Sequence, residues 1–178
     1  MNILSKCQMA QSSGNAMNIK DLMFSCVSED YAVNLSSSSL QRMIDECIKA
    51  GEHETGGILI GSYSEDGSTA FIVEATARPD DSLAGRTTFQ RGIKGLKPLL
   101  DSRWKTGEYY VGEWHFHPGG SPEPSPDDFV SMKNISSNPN YQCPEPVMII
   151  LGGDPSGLYS LSASVFPRDK ASIRLSQE

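Results

Sequence analysis

The sequence predicts a mixed α/β domain, and three features carry that prediction. One is a helical apolar face between Ser39 and Ala50. Another is a pair of short apolar runs, Gly57–Ile60 and Phe71–Val73, split by the turn-like cluster Ser64-Glu65-Asp66-Gly67-Ser68. The last is a set of later apolar stretches of strand length, preceded by a second helical stretch. Loose alternation of strands and helices is the pattern of mixed α/β architecture.

Residues 1–20 are rich in Ser, Asn and Gln without a period, so a flexible segment is expected, and Met17 is a second candidate start. A strand is expected around Leu22 to Val33. The helix over Ser39–Ala50 places Leu40, Met43, Ile44, Cys47 and Ile48 on one face, and Gly51 is a natural stop. The two apolar runs that follow read as a hairpin. A second helix is expected between Phe89 and Trp104, with Phe89, Ile93, Leu96 and Leu100 as its face and Pro98 as an interruption. Tyr109–Phe116, Val147–Leu151 and Leu158–Phe166 read as strands, the last of them closing the domain. The expected organisation is one domain over 21–168 and a tail over 169–178, with no internal repeat.

Composition narrows the function classes. A chain of 178 residues suits a single core. Fifteen basic and 22 acidic side chains leave a net charge of -7, which argues against nucleic acid. No apolar run approaches the ~18 residues of a membrane span, and the first residues lack the pattern of a secretion signal. Cys7, Cys26, Cys47 and Cys143 form no C-x-x-C pair. They read as reduced packing thiols in a cytoplasmic protein.

Two of the three histidines fall in His115-Phe116-His117-Pro118, after an apolar stretch. On a strand, residues i and i+2 share a face, so both imidazoles converge. Two adjacent imidazoles make an awkward core, because each carries polar nitrogens that need partners; a shared metal satisfies both. Downstream, Ser125-Pro126-Asp127-Asp128 reads as a helix start: Ser125 caps, Pro126 suits the first position, and Asp128 completes a capping-box-like turn. The same first turn can return Asp128 to the histidines. His115, His117 and Asp128 would then be three protein ligands with one open position, the pattern of catalytic zinc. Cap and ligand are compatible roles. Glu54, before the run Thr55–Gly61, is either a charged residue at a strand entrance or the base such a site needs.

Order and spacing together resemble the JAMM (MPN-plus) metalloprotease family. Its pattern is a Glu before a Gly-rich apolar strand, then H-x-H-P, seven residues, and S-x-x-D. Here Pro118 to Pro124 are the seven residues, followed by Ser125 and Asp128. The resemblance covers about residues 22–166. It implies Zn2+ on His115, His117 and Asp128, Glu54 as general acid/base, and Ser125 as support for the tetrahedral intermediate. It also implies the JAMM/MPN fold, a mixed sheet flanked by helices and similar to cytidine deaminases. The strings Glu54–Gly61, Phe89-Gln90-Arg91 and Tyr110–His115 resemble bacterial JAMM proteins of anti-phage operons, including the deconjugating peptidases of type II CBASS systems.

That narrower resemblance implies a protein substrate with an extended C-terminal tail, either a ubiquitin-like modifier or a cGAS-like nucleotidyltransferase joined to a target amine. The loops Ala77–Thr88 and Ser136–Pro146 are the expected specificity elements. Processing of a small sulfur carrier and an inactive scaffold of the same fold are the alternatives. A zinc deaminase needs H-x-E and P-C-x-x-C, and a zincin needs H-E-x-x-H; neither is present. His53 reads as an exposed polar residue.

Overall fold

A computed structural model describes residues 20–178; the expectations for residues 1–19 lie outside it. The strands β1 (Leu22–Cys26), β2 (Tyr31–Leu35), β3 (Thr55–Tyr63), β4 (Thr69–Ala75), β7 (Tyr109–Pro118), β8 (Val147–Gly153), β9 (Tyr159–Val165) and β10 (Ile173–Gln177) form one sheet. It closes on itself in the order β1-β10-β9-β8-β7-β3-β4-β2. Pairing is parallel for β2/β4 and β7/β8 and antiparallel elsewhere, so the sheet is mixed. A separate two-stranded ribbon joins β5 (Leu83–Ala84) to β6 (Phe89–Gln90). The helices are α1 (Ser37–Ala50), α2 (Leu96–Trp104) and α3 (Pro126–Ser137).

Alternation along β8 builds two cores. Val147, Ile149 and Leu151 face a large cluster that includes Leu40, Met43, Ile44 and Cys47 of α1. Met148 and Ile150 face the other way, against Met132 and Ile135 of α3. The expected face of α1 is therefore the buried one, except that Ile48 is half exposed. Ser36 caps α1 by accepting from the Ser39 N–H, and Gly51 ends it at a positive φ (62°) that glycine adopts readily.

Three expectations are corrected. The single strand over 22–33 is a pair, β1 and β2, broken by a 3-10 turn over Val27–Glu29 with Asp30 at φ 56°. Asp tolerates that left-handed turn better than most residues. The helix expected from Phe89 begins only at Leu96, after Gly95 (φ 81°), and Phe89 lies in β6. Pro98 then falls in the first turn, where its missing N–H leaves no helical bond unmade. Finally, Leu158–Phe166 is not the last strand. The expected tail contains β10, which pairs with both β9 and β1 and buries Leu175. The hairpin of β3 and β4 is present as expected, its turn fastened by Asp66, which accepts from Ser64 and Ser68.

Candidate active site

The face on which the two histidines stand is decided by a bulge. Against β3, Leu59 pairs with Gly112 and Ile60 with Tyr110, so Val111 is an extra residue. Such an insertion switches the face of everything after it. Val111, Trp114 and Phe116 all point into the large core, although 111 and 114 differ in parity. Glu113, His115 and His117 consequently share the opposite face, the one covered by α3.

α3 delivers the carboxylate. Ser125 is its cap: the Asp128 N–H donates to Ser125 Oγ (3.1 Å), and the Ser125 N–H donates back to Asp128 Oδ2 (2.7 Å). The capping box read from the sequence is therefore formed. Ser125 Oγ–H also donates to Asp128 Oδ2 (2.7 Å). Beyond the cap, Asp128 Oδ1 lies 2.7 Å from His115 Nδ1, and Oδ2 lies 3.6 Å from His117 Nε2. Burial alone would raise the pKa of Asp128. The hydrogen bond from His115 and the nearby His117 imidazole outweigh it, with Ser125 adding to them, and hold the carboxyl far below the usual range.

His117 is oriented from behind. Its Nδ1–H donates to the Ser121 carbonyl (3.1 Å), which leaves Nε2 facing Asp128. The loop carrying Ser121 sits against β8 at Gly152, where a Cβ would come within 2.6 Å of Ser121 and Pro122 backbone atoms. Only a glycine admits that approach. His115 is buried, and burial would depress its pKa; the hydrogen bond to Asp128 and the nearby Glu113 carboxylate win and push it up to about 9. For His117 the Asp128 contact is the largest influence, and the pKa rises as well.

Glu54 enters from the start of β3. Its backbone N–H donates to the Gly85 carbonyl (2.8 Å), so the turn between β5 and β6 fixes it. Its side chain is partly buried, which raises its pKa; Asp128 adds to that rise, while His117 and His115 oppose it. Glu54, His117, Ser125 and Asp128 line one open cleft of about 760 Å³, whose far wall is the ribbon segment Leu83–Gln90. Of the two expected specificity loops, Ala77–Thr88 borders this cleft through residues 83–88. Ser136–Pro146 does not: its Tyr141 and Gln142 line a separate hollow with Trp104 and Tyr109. His53 is exposed.

Sequence reasoning gave no role to a group that the fold places directly behind the histidines. Arg91 donates through Nε (2.9 Å) and Nη2 (2.7 Å) to Glu113 Oε1, and Tyr110 donates to the same oxygen (3.1 Å). Glu113 Oε2 faces His115 Nε2 at 3.8 Å. The sequence signal for this group is Glu113 two residues before His115, hence on its face; nothing local to Arg91 marks it.

The donor set suits a metal in kind: two imidazoles and a carboxylate meet below an open cleft. Among the described residues, however, no three His, Cys, Asp or Glu side chains stand at the spacing of a formed metal site. The His115–Asp128 contact is one physical reason. Tetrahedral donors about 2.0–2.1 Å from a metal stand roughly 3.3 Å apart. The 3.6 Å separation of His117 and Asp128 is close to that, whereas 2.7 Å is a hydrogen bond made across the same gap.

The family described as prokaryotic homologs of the JAB domain matches residues 36–163. The chain belongs to this family. A protein of Enterobacter hormaechei subsp. hoffmannii (strain UCI 50), named CD-NTase/cGAS isopeptidase, is 70% identical over 98% of this chain and 97% of its own. A probable metalloprotease of Sinorhizobium fredii (strain NBRC 101917 / NGR234) is 28% identical over 68% of this chain and 76% of its own. A solution structure of a Desulfitobacterium hafniense protein shares the fold, with a TM-score of 0.55 at 16% identity over 79% of this chain and 86% of that one. As a JAB-domain protein with such relatives, the chain is a peptidase of the hydrolase class, and its family implies a metal cofactor. No helix among the described residues is long and apolar enough to cross a membrane.

Proposed function

We propose that this JAB-domain peptidase is a zinc-dependent isopeptidase. His115, His117 and Asp128 hold the metal, Glu54 is the general base and acid, and Ser125 supports the developing oxyanion. The observation that carries this reading is that Glu54, His117, Ser125 and Asp128, brought from the entrance of β3, from β7 and from the start of α3, line one cleft, with His115 hydrogen-bonded to Asp128 beneath it.

Three protein donors leave the open position that a catalytic zinc keeps. A zinc ion held there would supply Lewis acidity and would lower the pKa of a water at that position to about 7. The Glu54 carboxylate takes a proton from the water that adds to the scissile carbonyl and delivers it to the amine nitrogen as the C–N bond breaks. A carboxylate at the edge of the cleft suits a group that must both accept and release a proton. The Ser125 hydroxyl, which donates to Asp128 in the resting site, turns its proton toward the carbonyl oxygen as charge builds there. No side chain is needed as a covalent nucleophile.

The substrate in this reading is the bond joining the C-terminus of a cGAS-like nucleotidyltransferase to a target amine, cut in bacterial anti-phage defence. Its support is the 70% identity, over nearly the whole length, to a protein named for that activity. The tail lies extended in the cleft beside the ribbon of β5 and β6. The test is a reporter fused behind the C-terminus of such a nucleotidyltransferase, incubated with zinc-loaded enzyme. Release of the reporter from this fusion, and not from one carrying a ubiquitin-like or sulfur-carrier tail, is expected. An intact nucleotidyltransferase fusion beside a cleaved alternative would overturn the substrate assignment.

A further inference from the structure

The Arg91–Glu113 pair is buried, with side-chain exposures of 10% and 7%. A buried ion pair is a weak source of net stability, because desolvation offsets much of the attraction. Its placement suggests another use. Glu113 keeps one carboxylate oxygen, Oε1, for Arg91 and Tyr110. The other, Oε2, points at His115 Nε2, on the side of the ring away from Asp128. The segment carrying Arg91 braces the same ring from another direction: Phe89 meets it edge-on, with centroids 5.3 Å apart.

We propose that Arg91 and Glu113 are positioning residues that orient His115 as a metal ligand. This rests on the reading of His115 as a ligand. Two distances on opposite sides of the ring support it. His115 Nδ1 is 2.7 Å from Asp128, about 0.6 Å closer than two donors of one tetrahedral ion stand. His115 Nε2 is 3.8 Å from Glu113 Oε2, about 0.6 Å longer than a hydrogen bond. A shift of the ring away from Asp128 relieves both mismatches together. Nε2–H then donates to Glu113, and Nδ1 is presented toward the shared gap. Arg91 and Tyr110 hold the carboxylate still, so the ring cannot drag it along. A carboxylate behind a ligating imidazole fixes its tautomer and raises its basicity, and losing such a partner weakens metal affinity by roughly 10–100-fold.

The test is zinc affinity of the full chain, read by competition with a chromophoric chelator, with melting followed on the same samples. Glu113→Gln alone leaves the Arg91 charge buried without its partner. The informative variant is therefore the double change Glu113→Gln with Arg91→Gln, which removes both charges. The double variant is expected to remain folded and to bind zinc roughly 10–100-fold more weakly. Unchanged affinity in the folded double variant would overturn the proposal. His115→Ala separates the two levels: if it leaves zinc affinity intact, the ligand reading itself falls; if it abolishes binding while the double variant binds normally, only the positioning role falls. Should the double variant not fold, nitrogen NMR of the unsubstituted zinc-loaded protein reads the same contact, since the chain has only three histidines. A slowly exchanging proton on His115 Nε2 is expected, and a ring nitrogen open to exchange would contradict the proposal.

Discussion

At the scale of single residues, the proposed chemical roles fall on atoms that also hold the structure together. Ser125 is the clearest case, because its hydroxyl accepts from the Asp128 N–H and donates to the Asp128 carboxylate. Ser125→Ala separates the roles. Loss of the cap alone lowers stability by about 0.5–2 kcal/mol and leaves turnover of the folded enzyme near normal. Loss of an oxyanion donor lowers single-turnover cleavage roughly 100-fold or more. The second outcome is expected, with Ser125→Thr recovering the cap; a melting shift with unchanged rate would leave the cap as the whole explanation. Glu54→Gln is expected to abolish cleavage while zinc content and melting stay near the unsubstituted values. Near-normal turnover in Glu54→Gln would remove the general-base role. The cysteines offer a complementary check. Burial raises the thiol pKa of Cys143 to about 11, despite a hydrogen bond from Tyr63, and pushes Cys47 higher still. Thiolates are the reactive form, so alkylating reagents should leave activity intact while a zinc chelator removes it. Inhibition by alkylation that disappears on replacing one cysteine would point to a thiol mechanism instead.

At the scale of elements, the meeting of β3 and β7 sets the precision of the site. Gly56 pairs with His115, and a Cβ there would stand 2.3 Å from the Trp114 carbonyl oxygen and 2.9 Å from both His115 Cδ2 and Phe89 Cε1. Gly56→Ala therefore forces β7 or the Phe89 ring to move. An overpacking cost of about 1–3 kcal/mol is expected, together with weaker zinc binding. A variant that melts and binds zinc normally would show that the strand contact has slack. This scale also shows what the sequence could and could not convey. His115 and His117 share a tetrapeptide, and Ser125 and Asp128 share a helical turn, so local periodicity sufficed to bring each pair together. The Arg91–Glu113 pair spans 22 residues and depends on the ribbon folding back over β7. The bulge at Val111 exists only in the pairing with β3, so simple alternation along β7 places Val111 and the histidines on one face, and the structure does not.

At the scale of the whole molecule, closure of the sheet depends on a strand that the sequence disguises. Ile173-Arg174-Leu175-Ser176-Gln177 has only Ile173 and Leu175 as apolar residues, so it reads as a tail; pairing with β9 on one side and β1 on the other makes it a strand that buries Leu175. It also reaches the site loop, because Arg174 pairs with Glu123 at the cleft (2.6 Å). That exposed ion pair contributes little by itself. Ending the chain at Arg168 removes the strand, unpairs two edges and uncovers the Leu175 site, and melting should fall by roughly 5–15 °C. Unchanged melting would show that the sheet does not need to close.

His115, His117 and Asp128, drawn together by the bulge in β7 and the first turn of α3, are the proposed ligands of one metal ion. Zinc content per folded chain, measured on the purified protein beside His115→Ala, His117→Ala and Asp128→Ala, tests this assignment most directly. With three protein donors and none to spare, about one zinc is expected in the unsubstituted protein and clear loss in each variant. Full retention of zinc in all three variants would contradict it.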